Sequence, residues 1–164
     1  MLSPKQQAMS LLTWVRSISE MMLKDIPESG FVKQACPTDN HPLWVLGHLA
    51  STDAWIGGVL GIPGISMPDG HDKLFGGGSK PLADPKAYPK YEELKALFDS
   101  NRKAVLAWLE GASASALETP LKEKTGGFTT DPIDAMHKLA WHEGYHFGQV
   151  ASVRKALNLK PIMG

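Results

Sequence analysis

Apolar residues recur along this chain at helical spacing, and four runs of that kind predict four long helices. In the first, Met9, Leu11, Leu12, Val15, Ile18, Met22 and Leu23 follow a 3.6-residue period. Ser3-Pro4-Lys5-Gln6 reads as its start, with Ser3 as cap, Pro4 at the first helical position and Gln6 reaching back to complete a capping box. Pro27 and Gly30 end the run, so the expected span is about residues 4 to 25. A second helix is expected from Pro42, capped by Asn40 or His41, through Val59 to Gly61. A third is expected from about Lys90 to Glu110, and a fourth from Thr130 or Asp131 to about Asn158. Two long connections separate them. Residues 61 to 89 are rich in Pro and contain Gly76-Gly77-Gly78, while residues 112 to 130 suggest one short turn near Ala114–Leu117 and an extended piece at 126–130. No strand alternation competes, so the expectation is an all-α, four-helix bundle with long connections, formed by residues 1–164 as a single domain.

Composition changes this picture little. Apolar residues make up 43% of the 164, the charged residues balance to a net charge of zero, and no basic block offers a footprint for nucleic acid. The lone Cys36 has no partner for an internal disulfide, and it is read as a loop or buried thiol. The start of the chain is a poor secretory signal and no apolar run is long enough to span a membrane. The expectation is a soluble, cytoplasmic protein.

The chemistry concentrates in Trp141-His142-Glu143-Gly144-Tyr145-His146 of the last helix. Residues i and i+4 of a helix lie on one face, so His142 and His146 can share a metal ion. Both fall on one shoulder of the apolar stripe, facing a groove beside another helix, whereas His137 is about 140° away. The stretch also reads as His-Glu-x-x-His, the zinc-peptidase motif. That reading needs a third ligand from downstream, and residues 147 to 164 contain no His, Asp, Glu or Cys. Glu143 lies close to the centre of the apolar stripe, not beside the imidazole pair, and is read as a helix residue at a polar seam or dimer surface rather than a general base. On the second helix His48 follows Trp44 by four residues and points inward, and His41 lies about 10 Å further along the axis, too far to join it. The position of His71 is open. Trp44, Trp55, Trp141 and the 61–89 segment are candidate walls of a groove, and Trp14 and Trp108 read as core.

Two stretches, Asn40-His41-Pro42-Leu43-Trp44-Val45-Leu46-Gly47-His48-Leu49-Ala50 and His142-Glu143-Gly144-Tyr145-His146-Phe147-Gly148-Gln149, together resemble the DinB-like superfamily of four-helix bundles. That superfamily includes YfiT-like metal hydrolases and the bacillithiol and mycothiol transferases. The resemblance implies a metal triad of His48, His142 and His146, a divalent ion (Ni or Zn), and a homodimer. Gln149 fits the motif without being a ligand. The implied function is a metal-dependent enzyme in which the ion activates a water, as a hydrolase, or a low-molecular-weight thiol, as an S-transferase. The alternative is a non-catalytic dimeric metal-binding stress or interaction protein. Neither the substrate nor a catalytic side chain can be read from the residues.

Overall fold

A computed structural model describes residues 1–163 of the chain, and all regular structure in that span is helical. The helices are α1 (Pro4–Leu23), α2 (Pro42–Leu60), α3 (His71–Phe75), α4 (Tyr91–Gly111), α5 (Ala114–Leu117) and α6 (Pro132–Ala156), with short 3-10 turns at Glu28–Gly30 and Pro85–Ala87.

The ends of the helices follow their capping chemistry. Ser3 and Gln6 form the expected reciprocal box at the start of α1. Asp131 caps α6 through a 2.9 Å bond from the Asp134 amide. His41, not Asn40, caps α2: its Nδ1 accepts from the Trp44 amide at 3.1 Å. Gly61 closes α2 in the left-handed region at φ 70°, where a side chain would be strained. The first helix ends at Leu23, two residues before the expected stop, and α3 inside the 61–89 segment has no counterpart in the sequence reading. Residues 126–130 are turns rather than an extended piece, because Gly126 and Gly127 both take positive φ.

The four long helices pack in the cyclic order α1–α6–α2–α4, so α1 lies diagonally across from α2 and α4 across from α6. Both diagonals are crossed by long connections, which a simple up-and-down arrangement would not need. Among the described residues no helix is long and apolar enough to cross a membrane.

The core has two apolar layers. One gathers Leu43, Leu46, Leu49, Phe75, Phe98, Phe147 and Val150, and the other Leu12, Ile56, Val105, Leu109, Met136 and Leu139. Between them lies a buried charge cluster with one member from each long helix: Arg16 of α1, Asp53 of α2, Arg102 of α4 and Glu143 of α6. Arg16 grips Glu143 with Nε and Nη2 at 3.0 and 3.2 Å, and Arg102 grips Asp53 with Nε and Nη2, both at 2.9 Å. Cross-links close the ring, with Arg16 Nη2 3.4 Å from Asp53 and Arg102 Nη1 2.8 Å from Glu143. Burial alone would raise the Glu143 carboxyl, but the charges of Arg102 and Arg16 outweigh it and hold it below its ordinary value.

This corrects the reading of Glu143. It is fully buried and ion-paired inside the core, not placed on a seam or a surface. Trp14 is also corrected: it is 56% exposed on the outer face of α1, whereas Trp108 is half-buried against the core.

Candidate metal centre

Helix α6 turns His142 and His146 toward α2, and α2 turns His48 toward them. One imidazole nitrogen from each lies within 4.8 Å of the others. His142 Nε2 is the hub, 3.1 Å from His48 Nε2 and 3.0 Å from His146 Nε2. The two other candidates stay outside this cluster. His41 is spent as the α2 cap, with its Nε2–H donating to the Leu82 carbonyl at 3.0 Å, and His137 is exposed. His71, left open by the sequence, starts α3 and is buried, donating from Nδ1 to the Pro68 carbonyl at 2.9 Å.

The second nitrogen of each ring decides what the cluster can do. His48 Nδ1 lies 2.6 Å from the Phe75 carbonyl, an acceptor only, so Nδ1 carries the proton. His146 Nδ1 lies 3.0 Å from Gln149 Oε1, which also accepts from Asn40 Nδ2 at 3.1 Å. Both tautomers are thereby fixed, and both Nε2 lone pairs aim at the same point. A single Nε2–H on His142 satisfies one of them, whereas a cation among the three nitrogens satisfies all. His142 Nδ1 is buried with no partner, so that ring, unlike the other two, has no hydrogen bond behind it. The donor set therefore fits a divalent ion of the kind imidazole favours.

Burial keeps these rings neutral. His142 is pushed down to about 3, first by burial and then by the adjacent His146 and His48 rings. Burial takes His146 to about 4 despite the Gln149 hydrogen bond, and lowers His48 despite its bond to Phe75. Neutral imidazole is the form that binds metal.

Gly47 explains how Phe75 reaches His48. A Cβ there would sit 2.3 to 2.5 Å from three atoms of the Phe75 ring, so only glycine lets that ring lie against α2. Trp44 stacks on the other side of His48, with ring centres 4.5 Å apart, and its indole N–H bonds Ser79 Oγ at 3.0 Å. The 61–89 segment is thus pinned along one face of α2, at His41, Trp44 and His48, and it covers the histidines.

A cleft of about 400 Å³ opens beside His48 and His142, walled by Trp55, Phe75, Phe128 and the Gly76-Gly77 turn. Trp55 is a wall as expected. Trp141 is not: it is 67% exposed and stacks on Tyr145 beside Leu11 and Val15 of α1. A larger cavity, about 840 Å³, lies between residues 23–32 and 85–92, and no histidine lines it. Two of the three clustered histidines, His48 and His142, line the smaller cleft. Cys36 is exposed in the connection between α1 and α2.

A family model described as the DinB superfamily matches residues 11–150, a span that contains all three clustered histidines. The chain belongs to the DinB superfamily. Searches of curated proteins and of solved structures each gave no match. For a DinB-superfamily chain the Gly47-His48 and His142-x-x-x-His146 pieces were legible in sequence, as was Gln149 as a non-ligand member of the motif, but the other supporting groups were not. Phe75 contributes a backbone carbonyl, which no side-chain pattern reveals. The Asn40–Gln149 pair joins residues 109 positions apart.

Proposed function

We propose that this chain is a metal-dependent enzyme in which His48, His142 and His146 hold one divalent ion, zinc or nickel, through their Nε2 atoms. The convergence of those three nitrogens, two with their tautomers fixed from behind, carries the reading. When bound, such an ion supplies the Lewis acidity that activates water for hydrolysis or a small thiol for transfer. The remaining tasks fall to the chain itself. Phe75 and Gln149 keep His48 and His146 protonated at Nδ1, so that Nε2 stays a donor of electron pairs. Trp44 and the 61–89 segment shield the rings from solvent on one side, and the cleft leaves the other side open to a small molecule. Three protein ligands with an open approach are the pattern of a reactive site rather than a closed structural one.

Elemental analysis of protein purified without a histidine tag tests the site. About one equivalent of metal, lost in His142→Ala, is the expected result, and failure to take up zinc or nickel would refute the triad. Metal-loaded protein is then assayed with thiols plus an electrophile and with ester and amide panels. Activity that disappears in His142→Ala supports the enzyme. No activity at full occupancy leaves the non-catalytic metal-binding reading standing, and activity that survives the substitution refutes catalysis by the triad metal.

A further inference from the structure

The cleft beside the histidines has walls of uniform electrical character. Among the described residues lining it, Asp72 is the one carboxylate, and no Lys or Arg joins it. Asp72 is exposed, and it is not among the residues whose ligand atoms converge at the histidine cluster. The two wall hydroxyls have already given their protons to their own helix: Ser51 Oγ donates to the Gly47 carbonyl at 2.8 Å and Thr52 Oγ1 to the His48 carbonyl at 2.9 Å. They therefore offer lone pairs to anything in the cleft.

One turn further along α2 from Ser51 stands Trp55, edge to face with Phe128 at 5.4 Å between ring centres. Trp55 is 43% exposed although it borders a cavity, which leaves indole surface free for a ligand. An aromatic face, a free carboxylate and hydroxyl lone pairs all attract positive charge. Lys138 Nζ lies 5.7 Å from the Phe128 ring centre, where it donates to the Phe128 carbonyl at 2.6 Å and pairs with Asp134; it does not line the cleft.

We infer that the cleft recognises a substrate bearing an organic ammonium group, seated between Asp72 and the Trp55–Phe128 pair. This rests on the reading of the site as an enzyme's, and it names the substrate class: a small amine or quaternary ammonium compound whose reacting group reaches toward His48 and His142.

Three probes of one shape separate charge from bulk: choline, neohexyl alcohol (the same skeleton with carbon for nitrogen) and the tert-butylacetate anion. Titration calorimetry on the full chain, metal-free and zinc-loaded, gives their affinities. Choline is expected to bind about tenfold tighter than the alcohol, with the anion weakest. The preference should fall to near unity in Asp72→Asn and shrink several-fold in Trp55→Ala. Both side chains are solvent-exposed, and helical circular dichroism checks that each variant folds. Equal or tighter binding of the alcohol or the anion overturns the inference. So does an unchanged preference in Asp72→Asn, or no saturation by choline at roughly 10 mM. Zinc uptake and the choline preference, both read on the wild-type chain, separate the two claims. If the metal reading fails, zinc uptake is absent while the choline preference persists; if the cleft reading fails, zinc binds and the preference is missing.

Discussion

Replacing Glu143 by glutamine is the most direct test of how the core is held. The substitution keeps shape and removes one negative charge that faces three guanidinium nitrogens at 2.8 to 3.2 Å. Asp53 is then left as the single buried anion against two buried arginines, and the glutamine amide places donors opposite donors. Removing one partner of a buried pair costs about 3–5 kcal/mol, because the other charge stays behind in a poor solvent. A domain of this size loses roughly 2–4 °C of Tm per kcal/mol, so a drop of about 10 °C is expected. Urea unfolding followed by circular dichroism should show a lower midpoint at unchanged slope. The exposed Glu123→Gln is the control, and it should stay within about 0.5 kcal/mol of wild type. The paired change Arg16→Met with Glu143→Leu removes a neutral unit, and it should cost less than Glu143→Gln alone. The pH dependence has a definite sign. The Glu143 carboxyl is depressed from 4.5 in the fold, so its contribution is present above that value and lost as pH falls through its folded value. Wild type and Glu143→Gln should therefore converge in acid. A loss below about 1 kcal/mol at neutral pH would refute the account.

Three other outcomes are expected. Gln149→Ala frees His146 Nδ1 and should weaken zinc binding about 10- to 100-fold in competition with a chromophoric chelator; a change within about twofold would remove Gln149 from the site's support. Gly47→Ala drives the Phe75 ring off α2 and should cost about 1–3 kcal/mol in urea while weakening zinc binding. Gly58→Ala, with open space around it, should be neutral or stabilising by up to about 1 kcal/mol, and equal behaviour of the two would argue against the close approach. The metal-free protein should lose stability as pH drops below 6.5, because His142 and His146 protonate near 3 and 4 when folded but at 6.5 when unfolded. The unfolded chain then binds more protons, so the Tm of metal-free protein should fall between pH 6.5 and 4, and a Tm flat across that window would contradict the burial of the rings.

The parts of this molecule that were legible in sequence are those written in period and punctuation. The long helices, their Ser3 and Asp131 caps and the i, i+4 histidine pair all follow from local spacing. Helix α3 escaped because five residues carry too few apolar positions to establish a period, and it is fixed instead by Phe75 packing on Gly47. Trp14 and Trp141 were misplaced because large aromatic residues suggest interior or wall positions, while their phase puts them on the outer faces of α1 and α6. The charge cluster had a signal that could have been used. Arg16 stands in the series Ala8, Leu12, Leu23; Asp53 in Leu46, Leu49, Ile56; Arg102 in Phe98, Val105, Leu109; and Glu143 in Met136, Leu139, Phe147. Each occupies a core phase of its helix, and two positive and two negative charges at four core phases imply mutual neutralisation.

That arrangement bears on the order in which the helices can come together. Two of the adjacent pairs, α1 with α6 and α2 with α4, each contain a two-pronged arginine–carboxylate couple that is electrically neutral by itself. Any three helices without the fourth enclose one unmatched charge. Stepwise addition of single helices must therefore pass through a charged interior, whereas docking two finished halves does not. One half joins the two ends of the chain and the other is its middle, so charge parity favours an assembly in which the termini meet before the core closes.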